Sequence, residues 1–169
     1  MTARLDPRVA GLARESERWV REQDGGFAIG RKDVHVVVTD DAGTLTVEAF
    51  ERGASNGVQL VTDDDEVLQR YLVTWLLPAW RETHGLGFLP RPGTREAPGY
   101  AVVDGGTEAG FEYRIRRALD GEIVARDLLD VDAEALVVTL PHPLDDVLAA
   151  ARDRNGAPVW ASARRWLRR

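Results

Sequence analysis

Few residues in this chain could do chemistry, and none sits in a pattern that chemistry requires. His35, His84 and His142 are widely separated, so no two stand at the spacing of metal ligands on one helix or strand. His35 lies in an apolar run from Val34 to Val38, His84 closes a helical pattern, and His142 is held between Pro141 and Pro143. Each therefore has a structural use: a sheet-face side chain, a partner for a helix dipole, and a turn or cap residue. The serines Ser16, Ser55 and Ser162 lack the context of a nucleophile elbow. The absence of cysteine excludes disulfides, thiolate metal sites and a cysteine nucleophile together. Gly85 and Gly87 resemble the start of a dinucleotide loop, but they follow a helical pattern instead of a strand, and the third glycine is missing. Asp63, Asp64 and Asp65 could offer oxygens to a hard cation together with Asp40 or Asp41, yet the spacing matches no calcium loop and helix capping already accounts for them. The expectation is a protein with no catalytic residue, no cofactor and no metal.

The elements that would position any functional surface follow from periodicity and punctuation. Asp6 and Pro7 read as an N-cap and a first-turn proline, and Val9, Leu12, Ala13, Trp19 and Val20 then hold one face, which predicts a helix up to Gly25 and Gly26. Residues 27–29, 34–39, 44–50 and 58–61 read as short strands joined by brief turns. The stretch from Thr62 to Pro92 is the most specified. Leu68, Tyr71, Leu72, Trp75 and Ala79 keep helical spacing, Asp63 is the expected N-cap with Glu66 three residues on, and Pro78 is expected to kink or end the helix near Leu77. Such a kink would turn Trp80 towards an irregular loop over residues 85–99. Further strands are expected at 100–103, 111–118 and 122–128; in the second of these Phe111, Tyr113 and Ile115 alternate with Glu112, Arg114 and Arg116, the mark of a sheet with one face in the core. A helix from Pro143 to about Asp153 carries Leu144, Val147, Leu148 and Ala151, and a last segment holds Trp160, Trp166 and Leu167. The predicted fold class is α+β: a single domain over residues 1–169, with a largely antiparallel sheet of short strands and helices packed on one face.

Charge and composition narrow the partners. The net charge is −6, and Arg164, Arg165, Arg168 and Arg169 hold +4 at the end, leaving −10 for residues 1–163. An acidic body argues against nucleic acid and suits a basic protein surface. No apolar run approaches a membrane span, and Met1 to Gln23 is too charged for a signal peptide, so a cytoplasmic protein without membrane contact is expected. The residues expected to touch a protein partner are Asp63, Asp64, Asp65 and Glu66 as an acidic group, Trp80 and Arg81 beside the proline, and Phe88 on the loop.

Several segments carry a resemblance. The runs Glu48 to Arg52 and Val67 to Leu72, the pair Trp80-Arg81 and the loop Gly85-Leu-Gly-Phe-Leu-Pro90 resemble the immunity proteins of bacterial polymorphic toxin systems. Leu144 to Leu148 and Asn155-Gly-Ala-Pro-Val-Trp160 continue it, so it spans roughly residues 44–160. The chain is similar as well to the antitoxins of necrotizing-type, NAD-degrading toxins. The resemblance implies a non-enzymatic cytosolic protein that binds a cognate toxin domain and blocks it. The order of helices and strands is also similar to type III secretion chaperones, which would bind an extended effector segment, and that alternative remains open at this stage.

Overall fold

The computed structural model describes residues 3–106 and 112–160. The expected strand position at Phe111 and the final segment with Trp166 and Leu167 lie outside the described residues.

Helix α1 spans Pro7–Glu15, followed by strands β1 (Trp19–Gln23), β2 (Gly26–Arg31), β3 (Val34–Asp41), β4 (Thr44–Glu51) and β5 (Ala54–Thr62). Helix α2 (Asp65–Thr83) leads to β6 (Glu96–Ala97), β7 (Tyr100–Asp104), β8 (Tyr113–Arg117) and β9 (Ile123–Leu128), and α3 (Asp130–Val137) and α4 (Leu144–Arg152) complete the order. The nine strands form one sheet in the order β1-β2-β3-β4-β5-β9-β8-β7-β6. Every pairing is antiparallel. The sheet is thus two meanders, and α2 carries the chain between them so that β9 returns to lie against β5.

Alternation decides which face is the core. Phe27 and Ile29 pair with Val38 and Val36, Val38 pairs with Val47, and Val47 with Leu60, so one face carries a continuous apolar row. Ile115 and Leu128 extend it across the second meander. These residues join Leu12, Leu68, Tyr71, Leu72, Leu76 and Leu136 in a single buried cluster. Helix α2 is the centre of the helical layer, in contact with α1, α3 and α4. The architecture is therefore α+β, with the helices on one face of an antiparallel sheet.

Three local expectations are corrected. The first helix stops at Glu15, and Trp19 and Val20 belong to β1. Arg18 N–H donates to Ala13 O and Glu17 N–H to Arg14 O, while Glu17 takes φ +58°. This is a Schellman termination with glutamate in the position that glycine usually fills, so no glycine signals it. Secondly, α2 runs through Pro78 to Thr83. A helix-interior proline costs about 3 kcal/mol, but Leu76, Leu77, Trp80 and Arg81 are buried on both sides of it and Pro78 itself faces solvent, so packing holds the last turns in place. Thirdly, Asp64, not Asp63, is the N-cap: its Oδ1 accepts from the N–H groups of Glu66 (2.8 Å) and Val67 (3.3 Å). Glu66 is then one position too early for a capping box, and its carboxylate pairs with Arg70 at 3.1 Å instead. Helix α3 was not expected at all. Its sequence is apolar on more than one side, and Ala133, Glu134, Leu136 and Val137 are all buried.

Candidate partner-binding surface

The acidic group lies where α1, α2 and α4 bring their N-termini together. Asp63, Asp64, Asp65 and Glu66 are all exposed. Asp63 accepts a hydrogen bond from Thr44 Oγ1 (2.8 Å), which ties it to the start of β4. Asp65 accepts from Gln69 Nε2 (3.2 Å), and the buried Gln69 also accepts from Asp6 N–H (3.1 Å) and donates to Arg4 O (2.9 Å), pinning the chain ahead of α1 onto α2. Arg8 bridges Asp6 and Asp145 at 2.6 Å each, linking α1 to α4. Asp6, Arg8, Asp65, Glu66, Gln69 and Asp145 line an open cleft of about 420 Å³. Burial pushes the Asp65 carboxyl above its ordinary value, and the charges of Asp64, Asp6 and Glu66 push the same way, whereas the Arg8 hydrogen bond holds Asp6 below its own. The group is a negative ridge with one bridging cation.

Trp80 and Arg81, expected at a partner surface, are interior residues, and that expectation is corrected. Trp80 is 5 % exposed. Its Nε1–H donates to Glu15 Oε2 (2.8 Å) and its ring stacks on His84 with centroids 4.0 Å apart. Arg81 is 2 % exposed. Its guanidinium donates to Gly87 O (2.7 Å), Asp153 O (2.8 Å) and Arg154 O (2.8 Å), with a longer contact to Ala151 O (3.5 Å). Arg70, about three turns earlier on the same face of α2, donates to His142 O through Nε (3.2 Å) and Nη2 (2.9 Å). Two buried arginines of α2 therefore grip the segments that precede and follow α4. Arg81 also ties the loop from Gly85 to Pro90 to Asp153 and Arg154. That loop, Arg81, Arg154 and Asn155 line a shallow pocket of about 370 Å³.

Phe88 stands at this pocket and is 75 % exposed. The loop that carries it is held from both ends. Leu86 N–H donates to Arg81 O (2.8 Å). Further along, Arg91 binds Asp130 (2.6 Å) and Glu134 (2.8 Å), and Arg95 binds Asp130 (2.8 Å) while its guanidinium lies 4.8 Å from the centre of the Tyr113 ring. An exposed phenylalanine on a tethered loop costs little entropy to bury in a partner.

Among the described residues the remaining titratable groups do not converge. His35 lies between the rings of Trp19 and Phe50, His84 donates to Trp80 O through Nδ1–H (2.8 Å), and His142 buries Nε2 without a partner among the described residues. Burial raises the Asp132 carboxyl to about 6, with Arg91 opposing the shift, but no nucleophile accompanies it. Among the described residues no group of three or more histidine, aspartate or glutamate side chains could hold a metal ion, and no helix is long and apolar enough to cross a membrane.

No curated protein sequence matches the chain. The fold is similar to that of a solved structure, Rv3902c from M. tuberculosis, with a TM-score of 0.80 over 94 % of this chain and 96 % of that one, at 18 % identity. A likeness at that identity speaks for the fold. The family model described as Immunity protein 61 matches residues 10–159, from the middle of α1 to beyond α4. The chain belongs to the Immunity protein 61 family, whose members serve as immunity proteins of toxin systems.

Proposed function

We propose that this protein is a non-enzymatic antitoxin that acts in the cytoplasm by binding a folded cognate toxin domain and blocking its active site, and that the toxin consumes NAD. The observation that carries the reading is the family match across residues 10–159. The absence of converging catalytic groups among the described residues is consistent with it, and the resemblance to antitoxins of NAD-degrading toxins supplies the toxin class. Phe88 and the acidic residues Asp63, Asp64, Asp65 and Glu66 are the sequence-expected contacts that remain at the surface. In this reading the acidic ridge steers approach, and better-packed contacts elsewhere set the lifetime of the complex.

The test is co-expression with the toxin domain encoded beside this gene, followed by purification of the pair. Rescue of growth, a stoichiometric complex and loss of NAD turnover by the toxin are the expected results. Rescue without NAD turnover by the free toxin would overturn the toxin class while keeping the antitoxin role. A complex formed only with an unfolded secretion segment would overturn the antitoxin reading in favour of a chaperone.

A further inference from the structure

The helices cover one face of the sheet, and among the described residues no helix packs on the other. That open face is not the polar surface an antiparallel sheet ordinarily turns to water. Across its first meander the register aligns Trp19, Gly30, His35 and Phe50 in one row. The His35 ring stacks on Phe50 with centroids 5.1 Å apart and planes within 6°, and Trp19 lies 5.7 Å from His35 on the other side. Gly30 makes this row possible. A Cβ there would lie 2.2 Å from His35 Cβ, so only glycine lets the Trp19 and His35 rings meet across β2. The next row aligns Arg21, Ala28, Val37, Glu48 and Val58, and Val58 is 43 % exposed. The Arg21 guanidinium lies 4.6 Å from the centre of the Trp19 ring.

The second meander adds charge to the same face. Ile115 points into the core, so Arg114 and Arg116 point away from it; Arg116 pairs in register with Ile123, 40 % exposed, and Arg126 pairs with Val61. Arg21, Arg114, Arg116 and Arg126 are exposed, and none makes an ion pair with a carboxylate among the described residues. This contrasts with Arg8, Arg70, Arg91, Arg95, Arg117 and Arg152, all of which are paired. Glu48, the carboxylate within the aromatic half, is hydrogen bonded to Ser55. Aromatic side chains, and arginines that pair with no carboxylate among the described residues, are the composition of an interface core and its anchors.

We infer that the helix-free face of the sheet is the main docking surface for the toxin domain, with the Trp19–His35–Phe50 row covering an apolar patch of the toxin and Arg21, Arg114, Arg116 and Arg126 meeting toxin carboxylates. The inference rests on the antitoxin reading. An apolar patch rimmed by carboxylates is the complement of this face, because each free guanidinium can take a carboxylate with two parallel hydrogen bonds. The acidic ridge reaches the edge of the sheet through the hydrogen bond between Asp63 and Thr44.

The experiment measures equilibrium affinity for the purified toxin domain encoded beside the gene. The variants are Phe50→Ser, the double exchange Arg116→Glu with Arg126→Glu, Phe88→Ser and a distant control, Asp146→Lys. The arginine exchanges sit at exposed positions, so they keep the test valid even if Phe50→Ser impairs folding. The expected result is a loss of at least tenfold for Phe50→Ser and for the arginine pair, a smaller loss for Phe88→Ser, and a change within about threefold for Asp146→Lys. The wild-type complex should also slow hydrogen exchange in β3 and β8. Unchanged affinity for the face variants beside a tenfold loss for Phe88→Ser would overturn the inference and move docking to the loop, leaving the antitoxin reading intact. Failure of the wild-type protein to bind the toxin at all would overturn both.

Discussion

Arg81 offers the sharpest test of how α2 organises the fold. The guanidinium is buried, its pKa is lowered by that burial, and its hydrogen bonds go to backbone carbonyls, with no carboxylate paired to it. Two of those carbonyls, Asp153 O and Arg154 O, directly follow α4, where the helix dipole also favours a cation. Arg81→Met keeps the packing of the stem but leaves three carbonyls without donors at 2.7 to 2.8 Å. Hydrogen bonds to a charged group contribute about 1.5 to 3 kcal/mol each and do not simply add, so a loss of roughly 3 to 5 kcal/mol is expected. With a urea slope of about 2 kcal/mol/M, the unfolding midpoint should fall by about 2 M. Arg81→Lys can reach one of the three directions and should lose about half as much. Native-state hydrogen exchange should show Leu86 and Gly156 N–H groups losing protection while β3 and β4 keep theirs, because the first two close the turns that Arg81 clamps. A midpoint for Arg81→Met within about 0.3 M of wild type, less than about 1 kcal/mol at that slope, would refute the clamp. So would a loss no larger than that of Arg91→Met, whose half-exposed ion pairs should contribute at most about 1 kcal/mol.

Four further outcomes are expected. Asp64→Ala should destabilise the protein by about 1 kcal/mol through loss of the cap and Asp63→Ala by less, as thermal melting would show, and the reverse order would return the cap to Asp63. Asp132→Asn should stabilise at pH 7 by at most about 3 kcal/mol, from the difference between the ordinary value of 3.8 and about 6. Because its folded pKa is raised, the wild-type penalty is absent below pH 3.8, grows as pH rises towards 6 and is complete above it, so the gap between variant and wild type should follow that course in urea titrations; a gap constant with pH would remove Asp132 as its source. Trp80→Phe should cost about 1 to 2 kcal/mol by removing the donor to Glu15, yet leave toxin affinity unchanged, and a weakened complex with unaltered stability would restore Trp80 as a contact. Asp63→Lys with Asp65→Lys, which spares the cap, should slow toxin association more than it speeds dissociation, and the effect should shrink as added salt shortens the screening length from about 8 Å; stopped-flow kinetics that place the change in dissociation would sink the steering argument.

Local chemistry made much of this molecule legible from the chain alone. Short β-branched and apolar runs set off by turn residues marked β3 and β4 over residues 34–39 and 44–50, and the spacing of Leu68, Tyr71 and Leu72 marked α2, because side-chain direction repeats every 3.6 residues in a helix. The α+β class followed from that order, and the immunity-protein family was readable from short segments whose spacing survives in the chain. What periodicity could not decide were contests between a local preference and distant packing. Pro78 disfavours helix, but burial of Trp80 and Arg81 overrides it, and Glu17 ends α1 in a conformation its residue type seldom takes. Nor does sequence show which polar groups become interior: Arg81 reads as a surface cation until α4 and the loop after it deliver carbonyls from more than seventy residues away. The open sheet face was hidden for the same reason. Trp19, His35 and Phe50 come from three strands, and only antiparallel register, with Gly30 leaving room between them, sets their rings in one row.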